Sequence, residues 1–375
     1  MKKLVINILP LYSPLTGVGK VTYYLVKKAK EIAPYYEYFY YSGFFSKEIS
    51  LRRREVAKKL ISYLKDSFLY SVLKKLKNRL IISKRPSKDI SFDIYIEPNF
   101  IPISQINASF IISIVHDFSF HLYPEWHPKE RISFFKEHFW KNIKRADKIV
   151  VVSDFILKQA VSFGIPKEKL TRIYCGLDHS LFKIYRKEEL AKTKRKYKLP
   201  DKFILFVGSI EPRKNLISIL KAYSILPDSL KKEYQLILVG FSGWKNKEIM
   251  KEIKKQNIRY IGYVSEEDLA KIYNLAKIFI YPSLYEGFGL PPIEAMACGC
   301  PTIVSNIASI PEVCGDASFY VDPFDINDIA KGILKVLKSE DLRNELIAKG
   351  LKRARRFCWE KTAKQILSLI PYRDV

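Results

Sequence analysis

The 375-residue chain predicts an α/β fold of two doubly wound, Rossmann-like parallel sheets facing a central cleft. Three observations carry this. Short apolar, strand-like runs alternate with helix-like stretches; the alternation occurs twice, with a charged stretch between; and the length suits two domains of ordinary size better than a single core. Hydrophobic residues at 48% and aromatics at 14% are ample for two packed interiors.

The first series has strand-like runs at 4–9, 93–97, 110–115 and 148–152, with helical stretches at 19–32, 127–145 and 155–163. Lys2-Lys3 leads directly into Leu4-Val5-Ile6, which reads as a first strand rather than a signal peptide. No apolar run approaches the roughly 18 residues that span a bilayer. A cytoplasmic protein is expected, with a peripheral association at the inner membrane face left open.

Gly17-Val18-Gly19 follows the first strand and opens a helix. It is half of a dinucleotide fingerprint, with Thr22 at the third glycine position. It is not a P-loop, since Pro14 stands where the first glycine belongs and Val21 follows Lys20. A tight strand-to-helix turn accounts for it as well as a ligand does.

The net charge of +26 is densest over 52–88, where Arg52-Arg53-Arg54, Lys58-Lys59, Lys74-Lys75 and Lys84-Arg85 face only Glu55 and Asp66. Val56, Leu60, Leu64, Leu69, Val72 and Leu76 form an approximate apolar stripe between them. Such a basic amphipathic helix fits an anionic membrane surface or a solvated face. No nucleic-acid-binding module accompanies the charge, and no nucleic-acid partner is expected.

His116-Asp117 ends the run 110–115 and should emerge at a strand's carboxyl end. A histidine there donates to a sugar hydroxyl, steers a reacting oxygen, or serves structure alone. The charged stretch 182–199 lacks a strand pattern and is read as the hinge. The expected domains are 1–183 and 184–356, with a closing helix over 357–375.

The second series has strand-like runs at 203–207, 236–239, 259–262, 278–281 and 302–304, with helices near 216–224, 266–274 and 292–297. Ser265 and Asp268 have capping-box spacing. Gly208-Ser209-Ile210-Glu211-Pro212-Arg213-Lys214-Asn215 lies between a strand and a helix, which sets the cations Arg213 and Lys214 at a helix start, where they suit an anion or serve as surface charge.

The most informative stretch is 285–299, Tyr-Glu-Gly-Phe-Gly-Leu-Pro-Pro-Ile-Glu-Ala-Met-Ala-Cys-Gly. The glycines free the turn, the prolines suit a helix's first turn, and exposed amides there make an anion site. Glu286 sits in the turn, where it can accept from hydroxyls; Glu294 lies about one turn into the helix, beside a ribose hanging from a bound phosphate. No Asp or His neighbours them, so no metal is expected. The five cysteines form no paired framework and read as small buried thiols.

This segment resembles the E-x7-E signature of the retaining glycosyltransferases of family 4, with Glu286 and Glu294 as its two carboxylates around Gly287-Phe288-Gly289-Leu290. The resemblance implies the GT-B fold and a nucleotide diphosphate sugar as donor. Glu286 and the following amides would hold sugar and diphosphate, Glu294 the ribose, and Arg213 and Lys214, beyond Gly208, the leaving group. Many members carry Arg where Ser209 stands. The loop at Gly17 and Gly19 would approach the donor across the cleft. His116-Asp117-Phe118-Ser119-Phe120 with Tyr123-Pro124-Glu125-Trp126-His127-Pro128 is similar to mannosyltransferase-like members, which sets His116 and Asp117 near the sugar. Cys358-Trp359-Glu360-Lys361-Thr362-Ala363 resembles the closing segment that returns to the first domain.

The expected activity is retaining transfer of a hexose, with mannose from GDP-mannose favoured, to a hydroxyl of a glycan or lipid-linked acceptor in polysaccharide or lipopolysaccharide synthesis. No cofactor is expected beyond the donor. Two rival readings are a nucleotide-sugar epimerase of the same fold and a non-catalytic module that binds a glycan or a membrane.

Overall fold

A computed structural model of the chain describes residues 1–12, 17–49 and 91–371. The basic segment 52–88 lies outside the described residues.

The first sheet contains β1 (Lys3–Asn7), β2 (Glu37–Tyr41), β3 (Phe45–Ser46), β4 (Phe92–Glu97), β5 (Ala108–Val115), β6 (Lys148–Val151) and β7 (Leu170–Arg172). Their spatial order is β3-β2-β1-β4-β5-β6-β7, parallel throughout except where β3 turns back on β2. Helices α1 (Gly17–Ile32), α2 (Ser119–Leu122), α3 (Lys129–Ile143) and α4 (Asp154–Ser162) connect these strands. Beneath α2 and α3, Phe100, Phe118, Phe120, Phe135 and Phe139 form one aromatic cluster, the Phe120 and Phe135 centroids 4.2 Å apart. It fixes the chain that follows His116 and Asp117.

The second sheet contains β8 (Phe203–Val207), β9 (Gln235–Val239), β10 (Arg259–Gly262), β11 (Ile278–Tyr281), β12 (Thr302–Ser305) and β13 (Phe319–Val321), in the all-parallel order β10-β9-β8-β11-β12-β13. Around it lie α5 (Lys187–Lys196), α6 (Leu216–Ser224), α7 (Asp228–Glu233), α8 (Lys247–Lys255), α9 (Glu266–Leu275), α10 (Leu290–Ala297), α11 (Ile310–Cys314), α12 (Ile326–Lys338) and α13 (Glu340–Ala354). Every residue of β8, β11 and β12 is buried, as strands covered on both faces require.

In both sheets the strand order reverses at one point, between β1 and β4 and between β8 and β11. Crevices at the carboxyl ends of such switch points take ligands in open α/β folds. The loops carrying the predicted site residues all leave from these strands or their neighbours.

Strands β2, β7 and β13, and the two-residue β3, are additions to the sequence reading. β2 is a run of aromatic residues after its glutamate, and β7 and β13 are three residues each, too short to show a period. The stretch 182–199, read as a hinge, contains α5. Glu188 and Glu189 in its first turn and Lys194, Arg195 and Lys196 in its last complement the helix dipole, and it packs on α9. Ser265 caps α9 by accepting from the Asp268 N–H at 3.2 Å. The Asp268 carboxylate, however, takes the Ser265 hydroxyl together with Lys196 and Tyr197, so the reciprocal half of a capping box is missing.

The chain passes between the sheets twice. It leaves β7 for α5, and after α13, which packs on α10, it returns as α14 (Trp359–Leu367) against α1. Trp359 stacks on Tyr24 at 4.9 Å with 7° between the planes. At Gly176 an added Cβ would stand 2.2 Å from the Trp359 nitrogen, so the two passing segments touch backbone to backbone.

Cys175, Cys298, Cys300 and Cys314 are buried and Cys358 is half-buried, all as free thiols. Among the described residues no helix is long and apolar enough to cross a membrane.

Candidate active site

The turn after β11 is built by two glycines with different duties. Gly289 has φ 101°, a left-handed conformation that leads into Leu290, Pro291 and Pro292 at the start of α10. Gly287 lies against the other domain. An added Cβ there would stand 1.7 Å from the His116 carbonyl oxygen. Among the described residues the N–H groups of Gly287, Phe288, Gly289 and Leu290 have no hydrogen-bond acceptor, the orphan amides that an N-terminus presents to an anion. Ser309 holds the turn from behind, its hydroxyl donating to the Glu286 and Phe288 carbonyls.

Glu286 is buried and fully engaged. Arg213 Nη1 donates to Oε2 at 2.8 Å, while Lys214 Nζ and the Tyr281 hydroxyl donate to Oε1 at 2.6 and 2.8 Å. Arg213 also donates to Glu211 Oε1 at 2.8 Å and to the Tyr285 carbonyl at 3.0 Å. The four ionic groups therefore balance two against two. Burial works against the Glu286 carboxylate, but Arg213 and Lys214 outweigh it and hold its pKa below the usual value. Burial, with Arg213 beside it, draws the Lys214 ammonium below its own. The Nε of Arg213 and one oxygen of Glu211 are buried without a partner among the described residues.

The first domain brings Asp117 to the same cluster. Burial raises its pKa, but the neighbouring Arg213 and hydrogen bonds from Ser119 at 2.9 Å (N–H) and 2.6 Å (hydroxyl) pull it below the usual value. His127 lies 2.9 Å from the Ser119 hydroxyl, and burial next to Arg131 pulls its pKa down to about 4. His116 is half-buried and also kept neutral by desolvation. Its Nε2 stands 2.7 Å from the Pro98 carbonyl, which accepts its proton and leaves Nδ1 as an acceptor.

Glu294, 3% exposed, is held by a residue of the other domain. Lys20 of α1 places Nζ 2.5 Å from Glu294 Oε1 and 2.9 Å from Glu266 Oε1, and the Tyr273 hydroxyl donates to Glu294 Oε2 at 3.3 Å. Desolvation lowers the Lys20 pKa, yet the two carboxylates raise it above the ordinary lysine value.

Across the cleft a cavity of about 420 Å³ opens between the Gly17 turn and β4, lined by Asn7, Val18, Gly19, Glu97, Arg131 and Phe134 among others. Glu97 accepts from Asn7 Nδ2 at 2.8 Å, from the Tyr95 hydroxyl and from the Asn99 N–H; burial pushes its carboxyl up to about 7 against those bonds.

The structure thus brings Glu286, Arg213 and Lys214 into contact, with Asp117 beside them. Gly287 lies against His116, Leu290 lies 3.9 Å from a Cβ position on Gly17, and Gly19 lines the facing cavity. Gly208 donates to the Val239 carbonyl and packs near Lys214. Among the described residues, Glu294 hydrogen-bonds to the other domain through Lys20 alone. The sequence reading missed Lys20, Glu211, Glu97 and Ser153, whose hydroxyl donates to the Gly287 carbonyl at 2.6 Å. Gly19-Lys20 at a helix start was the available signal for Lys20; the others carry none.

A turn of orphan amides beside a charge-balanced ionic cluster on one sheet, with a cavity of mixed polarity on the other, suits a two-domain α/β enzyme of the transferase kind. Residues 187–353 match the family described as glycosyl transferases group 1, and residues 98–181 match glycosyltransferase family 4. The chain is 33% identical to O-antigen chain mannosyltransferase B of Escherichia coli, over 96% of this chain and 97% of that protein. It is 36% identical to the serotype-specific mannosyltransferase WbdA of Escherichia coli over 61% of this chain and 29% of that one. Among solved structures it resembles WaaG, a glycosyltransferase involved in lipopolysaccharide biosynthesis (TM-score 0.69, 15% identity, 99% of this chain and 100% of that one). It likewise resembles Anabaena HepE, solved with UDP and glucose (TM-score 0.67, 15% identity, all of both chains). The chain belongs to this family of glycosyltransferases and has their GT-B fold.

Proposed function

We propose that the enzyme transfers mannose, with retention and without a metal ion, from GDP-mannose to a hydroxyl of a glycan or lipid-linked acceptor during synthesis of an O-antigen-like polysaccharide. The observation that carries the reading is the cluster of Arg213, Lys214 and Glu286 next to the orphan amides 287–290. Fixed cations and amides at one point suit a diphosphate, and they supply the charge stabilisation that a divalent ion supplies elsewhere. The choice of mannose leans on the name of the full-length relative and on the His116 segment.

Because Glu211 and Glu286 already compensate the two cations, their effect depends on charge shift during the reaction. As the bond between the anomeric carbon and the diphosphate oxygen breaks, negative charge grows on the leaving group, and Arg213 and Lys214 are positioned to share themselves with it. The acceptor hydroxyl attacks the same face, and its proton passes to the departing phosphate oxygen. His116, with Nδ1 free to accept, orients a hydroxyl of the sugar. The cavity with Glu97, Asn7 and Phe134 is assigned to the acceptor sugar, since amides, a carboxylate and an aromatic face among apolar walls suit a carbohydrate. Glu294 takes the ribose after Lys20 yields its place.

A panel of nucleotide sugars, scored by thermal stabilisation and by slow release of nucleotide, tests the donor. GDP-mannose should stand out. An equal response to UDP-glucose, or loss of activity on adding a chelator, would overturn the assignment.

A further inference from the structure

A second cavity, of about 360 Å³, shares no lining residue with the site described above. It lies at the edge strand of the first sheet, where the segment after β7 meets the returning segment between α13 and α14. Its walls include Arg172, Arg353, Arg356, Lys361 and Tyr174, and its lining contains no carboxylate.

The four cations are not equally committed. Arg172 pairs with Asp154 at 3.2 Å and lies 4.1 Å over the Tyr174 ring. Arg353 is spent on the Val313 and Glu312 carbonyls. Arg356 and Lys361 are exposed and have no carboxylate or carbonyl partner among the described residues. Glu312 lies beside the cavity, where its carboxylate accepts from the Asp154 and Phe155 N–H groups at 2.7 and 3.0 Å, and with Asp154 it offsets part of the positive charge. Arg356 and Lys361 remain without a counter-charge among the described residues, and an anion seated in the concave space supplies one. Guanidinium groups backed by aromatic faces suit the oxygens of a phosphate.

We infer that this cavity is a binding site for a phosphate or diphosphate group, separate from the donor site. The ligand would tie Arg172, at the edge of the first sheet, to Arg356 and Lys361 on the returning segment, and so join the two places where the chain passes between domains. The phosphate chemistry has two sources, a soluble phosphorylated metabolite or the headgroup of an anionic lipid.

The test uses the full chain and its R356A/K361A variant, in which both altered side chains are exposed and the thermal midpoint should be kept. Calorimetric titration with inorganic pyrophosphate should show a site in the wild type that is weakened about tenfold or more in the variant. Arg213→Gln, which alters the diphosphate cluster of the donor pocket, should leave that site intact, which separates the two. In a parallel arm, both proteins are sedimented with phosphatidylcholine vesicles with and without phosphatidylglycerol. A variant-specific loss on the anionic vesicles names the lipid headgroup as the source; a loss confined to pyrophosphate names a soluble one. Identical affinity and stoichiometry of wild type and variant in both arms would overturn the inference.

Discussion

Lys20 and Glu294 stand 274 positions apart in the chain and 2.5 Å apart in the structure, one from each domain. With Glu266 they close the cleft by a buried ionic contact at the carboxylate that the proposed function gives to the nucleotide ribose. Breaking one partner of a buried pair costs about 3 kcal/mol, because the remaining charge is left without compensation. Lys20→Met should therefore lower the urea midpoint. If ribose and Lys20 compete for Glu294, the donor should raise the midpoint of the variant by more than that of the wild type. An equal or smaller rise would separate the two roles.

Arg213 and Lys214 give the sharpest test of the chemistry. Removing a donor that stabilises growing charge lowers turnover by about 10² or more. Arg213→Gln and Lys214→Met should each show that loss in kcat with a smaller change in donor KM. Full turnover in both would refute the account. Thermal midpoints measured alongside separate this from the instability of leaving Glu211 and Glu286 underpaired.

Two glycines of the cleft should respond differently to alanine. At Gly287 the new methyl would stand 1.7 Å from the His116 backbone oxygen, so the domains must part. At Gly17 it would meet Leu290 at 3.9 Å, an ordinary contact. Gly287→Ala should keep nucleotide binding to the second domain yet lose most turnover, whereas Gly17→Ala should leave the thermal midpoint of the free enzyme unchanged.

Acid should loosen the protein in two stages. The unfolded chain protonates His127 near the ordinary 6.5, whereas in the folded protein burial and Arg131 hold it near 4. Its share of stability is thus complete above 6.5 and is lost as pH falls toward 4, up to about 3 kcal/mol. Glu286 and Asp117, with lowered pKa values, keep theirs until pH drops below the ordinary carboxylate range. A stability-against-pH curve should therefore slope through the first window, and His127→Gln should flatten that part alone.

What the sequence made legible follows from burial. β8, β11 and β12 are covered on both faces, so their apolar runs are continuous and easily seen, whereas the three-residue β7 and β13 have no period to read. The turn 286–294 was legible because local backbone chemistry makes it: glycines, prolines and a helix start in one short window. Contacts across the cleft were not. Lys20 lies in the first turn of α1 and Ser153 caps α4, and only the fold sets them against Glu294 and Gly287. The compensation of Arg213 by Glu211 and Glu286 was equally hidden, since the sequence lists the charges but not their depth.

The double passage of the chain between the sheets has a mechanical meaning. A single connection would behave as a tether and let one lobe swivel freely. Two adjoining strands of polypeptide, locked where Gly176 abuts Trp359, act instead like the paired knuckles of a door hinge. Such a joint would favour a swing about the line through it over a twist or a slide, so that the register of the reacting groups would be set far from where they meet.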